Sequence, residues 1–504
     1  MTTNYYDAVV LGMDLGPLAA GALLARRGFR VLIVGQNTPS NRYDCFDYIF
    51  SRRPFLLTSA ESPAVRRIIN ELSVSQLFQH AVRTMNPSYQ VVLRRARLDV
   101  FRDPEQTMTE LRREFPGAAA AVEEAFNHIG RVNGEIDKLV SNNIVVPPES
   151  FIEKREFSRA EVQNPFRMES QVDPRLAVDA TSGFGEFLDV PIRFETAGAS
   201  SPAPFVRFRQ LGGWLFNCQD VEGGLDGLRS LLVDQIVGQG GDHHPRRRVA
   251  EIVVRKGRVT GVLMSGREEM TGCQVVLTGQ SAAEIAPLVA PNTWTKRFRA
   301  LVDDSPEAVL GYAVNLGVDP EVIPAGLAGT AFISLGPGLG DELLRVEQVP
   351  QKNENLAALH VSCVVPPDSE ETIRSGALRD AILDRMRWLV PFLDKYLKVI
   401  HSPYDGFGPI DLDGGAEGDA PKVPYPEEIQ KWVLRPPTGE GVLGVESSPH
   451  RTGIKGLLMA GSQVVSGLGV EGELVAAWGA ARIASKMDPR RERLVRSMRS
   501  KVEM

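Results

Sequence analysis

The chain has 504 residues, a net charge of -6 and 24% charged residues, an ordinary soluble composition with more than one core's worth of chain. That charge gives no bulk attraction to nucleic acid, which is not expected as a partner. Four scattered cysteines (Cys45, Cys218, Cys273, Cys363) lack the spacing of a metal or redox motif, so no metal is expected; the adjacent His243 and His244 have no thiol neighbour.

In chain order, YDAVVL, a glycine turn, LAAGALLARRG and RVLIVG read as a strand over 7–12, a helix over 17–27 and a strand over 30–34, the opening of a dinucleotide-binding βαβ unit. Helical spacing follows over 61–82, a strand pair at YQVVL and RLDVF, then helical patterns through residue 140. The stretch 143–215, rich in prolines and aromatics, reads as irregular structure and short helices. GGLDGLRSLLVDQIVGQGG is a helix flanked by glycines, VAEIVVRKGRVTGVLMSG a hairpin and CQVVLTG a buried strand. Four candidate strands within 306–365 suit a separate, largely antiparallel sheet, a helical stretch covers 369–399, and 403–445 reads as surface loop. A strand at 457–460 and a helix at 472–485 flank a glycine-rich loop; a basic tail closes the chain.

The fold class is therefore α/β: a Rossmann-like domain assembled from 1–78, 210–290 and 445–486, a second α+β domain with a mixed or antiparallel sheet from 79–209 and 291–444, and a tail at 487–504. No leader and no apolar run near the roughly 20 residues of a membrane span are visible, so a cytoplasmic protein is expected, with any membrane contact peripheral and through the tail.

VVLGMDLGPLAAGALLARRGFRVLIVG, YQVVLRRARLDVFRDPEQTMTELRREFPG, GGLDGLRSLLVDQI with VAEIVVRKGRVTGV, and GLLMAGSQVVSGLGVEGELVAAWGAARIA together resemble the phytoene desaturase branch of the FAD-dependent amine-oxidase-like flavoproteins. The resemblance implies FAD extended across the first domain and a hydrophobic tunnel for isoprenoid-like substrates. It places the cofactor-binding positions at Gly12, Asp14, Gly16, Gln36, Arg42, Val249, Gly461, Ser462, Gly469 and Val470.

Several of these depart from the family pattern. Asp14 and Pro17 stand where the glycine turn has glycines, which sets a carboxylate beside the diphosphate position and removes a backbone donor. Asp14 also suits a helix N-cap, whose carboxylate would accept from the Gly16 N–H and fill the anion hole from within. Gly35, followed by Gln36, replaces the ribose-binding acid; Ser40 and Asn41 precede a retained Arg42; Gly461-Ser462 replaces Gly-Asp. Gly467, Gly469, Val470 and Gly472 are kept.

The losses predict weak or absent FAD binding and a pseudoenzyme that binds an apolar small molecule or a protein partner. The superfamily offers a precedent in the GDP-dissociation inhibitors of prenylated GTPases, although no motif here matches their GTPase platform. The alternatives are an FAD-dependent desaturase or dehydrogenase on a hydrophobic substrate, and a site for a nucleotide without the diphosphate. No catalytic residue is readable. Asp226 and Glu222 suit solvated or capping roles as well as a pocket wall, and Trp214, Phe216 and Trp478 suit the core as well as a site.

Overall fold

A computed structural model describes residues 5–163, 173–179, 183–199, 202–304, 308–335, 343–412, 431–439, 441–445 and 448–487. The expected basic tail lies outside them apart from Met487, as do residues 413–430 and 440 of the expected surface loop at 403–445.

The opening unit forms as its pattern demands. Strand β1 (Tyr5–Leu11) leads through Gly12 into helix α1 (Leu15–Arg26), and strand β2 (Val31–Val34) returns parallel to β1. Eleven of the twelve α1 residues are buried, all but Arg26, so the helix lies between the sheet and other helices. The sheet runs in the order Val249–Arg255, Arg258–Met264, Met270–Thr278, β1, β2, Asp242–His244, and Leu457–Met459 pairs parallel with Met270–Thr278. The chain's first, central and last segments thus share one sheet. The last segment continues into the C-terminal helix Gly469–Lys486, which packs beside α1.

The second sheet has nine strands, built around Val309–Val318 and Ala357–Val365 and antiparallel except where Thr330–Ser334 meets Tyr89–Leu93. The largest core cluster lies between this sheet and the helices Ala119–Val140, Phe184–Glu195 and Pro204–Asn217.

Three expectations change. The irregular reading of 143–215 gives way to helices Phe151–Gln163, Phe184–Glu195 and Pro204–Asn217, of 12 to 14 residues each. Pro191 sits inside the second of these, where proline normally argues against a helix; seven buried residues along that helix supply the packing that outweighs it. The helix over 61–82 is broken at Ser73, which takes a left-handed conformation (φ 61°). The stretch 369–399 divides into Glu370–Arg374, Ala377–Leu389, Leu393–Tyr396 and a strand, Leu397–His401.

Candidate functional site

The N-terminus of α1 faces the loop ahead of the C-terminal helix. A Cβ on Gly16 would lie 1.8 Å from the Ala460 carbonyl oxygen, so only glycine permits this approach. The helix presents unpaired N–H groups and the positive end of its dipole here. Asp14 is the N-cap residue, with an extended backbone (φ -69°, ψ 144°), but its side chain makes no capping hydrogen bond. It leans over Gly279, where an added Cβ would meet Asp14 Oδ2 at 2.4 Å. The Gly16 N–H donates instead to Glu473 Oε2 at 3.1 Å, across 457 residues of sequence. The anion hole is filled from within, as one reading of the sequence expected, but by Glu473 and not by Asp14.

Burial, and then the neighbouring Asp14 charge, push the Glu473 carboxyl up to about 7; the Gly16 N–H, Arg229 and Arg53 act against them. Arg229 is anchored beside the turn: its Nε donates to the Met13 carbonyl at 2.9 Å and its Nη1 to Asp226 at 3.1 Å. Asp226 in turn accepts from the Asn41 and Arg42 backbone N–H groups, at 2.9 and 3.0 Å, and so braces that loop. Glu222 is exposed and pairs with Arg83.

After the neighbouring strand, at the same edge of the sheet, Gln36 adopts a left-handed backbone (φ 55°), and its side-chain carbonyl accepts the Val249 N–H at 2.6 Å. The backbone donor of Val249, one of the expected cofactor positions, is thus satisfied internally. Gly35 is closed off as well. Its N–H donates to the His244 carbonyl, and a Cβ there would lie 2.5 Å from the Pro245 carbonyl oxygen. His243 and His244 belong to an edge strand, and no metal-holding group of residues occurs among the described residues.

Between the two sheets opens a cavity of about 200 Å³. Ser462, Gly469, Val470 and Glu473 line it from the C-terminal segment; Arg53, Phe55, Glu195, Arg345 and Trp432 face them. Gly461 packs behind this wall, its Cα-side space filled by Gln463 and Gly279. Arg42 lines a separate cavity with Asp220 and Glu347. The ten predicted positions therefore divide: Ser462, Gly469 and Val470 reach the cavity with Gly461 behind them, Gly12, Asp14 and Gly16 form the turn beside it, Gln36 and Val249 bind each other, and Arg42 lines the separate cavity.

Arg345 is 1% exposed, bonded to Glu347 through Nε (2.9 Å) and Nη2 and to Glu195 through Nη1 (3.1 Å). Its guanidinium carbon lies 5.5 to 5.6 Å from the rings of Phe194, Trp214 and Phe332. Burial raises both glutamates, and Arg345 opposes it. Trp214 thus belongs to the aromatic core against the cavity. Phe216 packs on Phe126 (5.0 Å), and Trp478 lies under Arg27 and Arg67 with its Nε1 donating to Asn143.

The sequence reading missed Glu473, Arg53 and the Arg345–Glu195–Glu347 group. Only Glu473 carried a signal: an acid in the first turns of a helix, where the dipole favours it.

The chain is 22% identical over 335 residues to a 4,4'-diapophytoene desaturase (4,4'-diapolycopene-forming) of Methylomonas sp., a match covering 63% of this chain and 62% of that protein. It thus spans less than two thirds of that relative's length. No protein-family model matches the chain. An oxidoreductase from Methanosarcina mazei superposes with a TM-score of 0.57 at 15% identity, covering 95% of this chain and 99% of its own. Putrescine oxidase bound to putrescine gives 0.55 at 11% identity, covering 96% and 99%. The chain shares the fold of these oxidoreductases and is similar in sequence to the desaturase.

The residues of this flavoprotein fold that would meet an FAD diphosphate do not suit one. Two carboxylates, Asp14 and Glu473, flank the helix N-terminus, and one of them already takes the Gly16 donor. Restoring the family's ribose acid should not recover a nucleotide site. In Gly35→Glu the new side chain collides with the Pro245 carbonyl, so the expected result is a loss of about 1–3 kcal/mol of stability with no gain in FAD affinity. Urea unfolding alongside an FAD titration checks both halves.

Proposed function

We propose that the chain is a non-catalytic binding protein on a flavoprotein fold, holding FAD weakly or not at all and taking an apolar small molecule in the cavity between the two sheets. The single observation that carries this reading is the Glu473 carboxylate on the Gly16 N–H, in the place where a diphosphate would sit. A bound carboxyl group satisfies the helix N-terminus just as a phosphate does, and it occupies the place a second anion would need. The Gln36–Val249 hydrogen bond supports the reading at the base end. The cavity supplies the second half, with Phe55, Leu56, Trp432 and Leu434 as apolar walls. A cytoplasmic protein accords with this reading; no helix among the described residues is long and apolar enough to cross a membrane.

The second reading is an FAD-dependent oxidoreductase acting on a hydrophobic, isoprenoid-like substrate. In its favour are the desaturase named among the relatives and the cavity beside the kept glycine loop of Gly467, Gly469 and Val470.

The visible spectrum of the purified protein separates the two. A colourless protein that releases no flavin on denaturation and ignores added FAD is the expected result. A yellow protein with one flavin per chain would overturn it in favour of the oxidoreductase.

A further inference from the structure

We infer that the ligand of the cavity between the sheets carries one negatively charged head group, bound by Arg53, on a short apolar body. This rests on the reading that the cavity serves a small molecule and not a flavin ring.

The argument is one of charge matching. Three arginines line the cavity: Arg53, Arg345 and Arg435. Arg345 is fully committed to Glu347 and Glu195. Arg435 is held by Glu284 at 2.8 Å. Arg53 forms no ion pair among the described residues; its guanidinium bonds to the Tyr404 hydroxyl, which itself donates to the Arg52 carbonyl at 2.7 Å. A half-buried guanidinium offers planar paired donors, and a neutral hydroxyl satisfies them incompletely.

The acids of the cavity do not compensate it. Glu195 is turned to Arg345, and Glu473 is turned to the Gly16 N–H with its carboxyl drawn toward the neutral form. Arg53 therefore faces the space with no ion pair among the described residues: its charge acts on Glu473, but that carboxyl is held by the Gly16 N–H, and Phe55, Leu56, Trp432 and Leu434 supply apolar wall beside it. A cavity of about 200 Å³ falls below the roughly 300–1,000 Å³ of sites for drug-sized molecules, so the body must be short. A carboxylate on an aliphatic chain meets all three requirements, because a charge-assisted bidentate contact to arginine is stronger than a neutral one.

The test uses the full-length protein and three probes of one length: octanoate, octanol and octylamine. Calorimetric titration is expected to give octanoate an affinity roughly tenfold or more above octanol, with octylamine weakest. Arg53→Gln should erase the difference between acid and alcohol while octanol binding stays, and Arg53→Lys should keep part of it. Circular dichroism confirms that both variants fold. Equal affinity for octanoate and octanol in the wild-type protein, or an acid preference that survives Arg53→Gln, overturns the inference. A flavin-free protein that binds octanol as well as octanoate leaves the binding-protein reading standing and removes only the charged head group. A protein purified with flavin in the cavity removes both.

Discussion

At pH 8.5, where the Glu473 carboxyl is ionised, Glu473→Gln should raise the affinity for ADP roughly tenfold or more over the wild-type chain, and Glu473→Ala combined with Asp14→Gly should raise it further. Two unit charges about 4 Å apart repel by about 4 kcal/mol at an effective dielectric near 20, so removing even part of that repulsion is measurable by calorimetry. Glutamine keeps an oxygen that can still accept the Gly16 N–H and removes only the charge; alanine frees the donor as well. The order wild type, Gln, Ala/Gly is therefore expected. ADP is the suitable probe because it carries the diphosphate and base without the flavin. Equal, weak binding by all three proteins would place the obstruction at Pro245 and Gln36 instead.

The same residue gives a pH signature. Its carboxyl titrates near 7 in the folded chain against about 4.5 when unfolded, so between those values the native state binds more protons. Stability contributed at this site is present below about 4.5, falls as the pH rises toward 7 and is constant above it. Across pH 5 to 8 the urea midpoint of wild type should drop relative to Glu473→Gln; parallel curves would mean that burial and the Asp14 charge do not raise this group.

How much of this was legible in the sequence depends on distance along the chain. The βαβ opening and the separate antiparallel sheet follow from local period and glycine placement, and both stand in the structure. The helix Phe184–Glu195 was hidden because Pro191 and its aromatics argue locally for irregular chain, while its stability comes from the core it packs on. The site was legible as an absence: Asp14, Gly35 and Ser462 each break a contact the family makes. What takes the place of those contacts was not legible. Glu473 reaches Gly16 across 457 residues, Gln36 reaches Val249 across 213, and Arg345 reaches Glu195 across 150. No spacing rule encodes such pairs, and Asp14, the nearer acid, was the natural but mistaken choice for the cap.

The stretch GLGVEGE, kept where the other cofactor contacts are lost, has a structural reason to persist, and it yields the largest stability effect expected here. Glu471→Ala should cost about 3–5 kcal/mol, the price of stranding one member of a buried ion pair. Glu471 is 5% exposed and accepts from Arg209 through both Nε and Nη2 at 2.7 Å, with the Ser62 hydroxyl as a further donor. Burial works against the Arg209 charge, but Glu471 and then Asp137 outweigh it and hold the guanidinium above its usual range. The group ties the first turn of the C-terminal helix to Pro204–Asn217 and, through Asp137, to Ala119–Val140; Ser62 meanwhile caps Pro63–Leu72. Four helices thus meet at one carboxylate, and they fix the wall that carries Gly469, Val470 and Glu473 to the cavity. Arg209→Met with Glu471→Leu removes both charges and should be far less damaging than Glu471→Ala alone, since no charge is left buried without its partner. Urea unfolding of the three proteins measures the difference. A Glu471→Ala loss under about 1 kcal/mol would mean that water reaches the pair, and that the loop is held by its glycines alone.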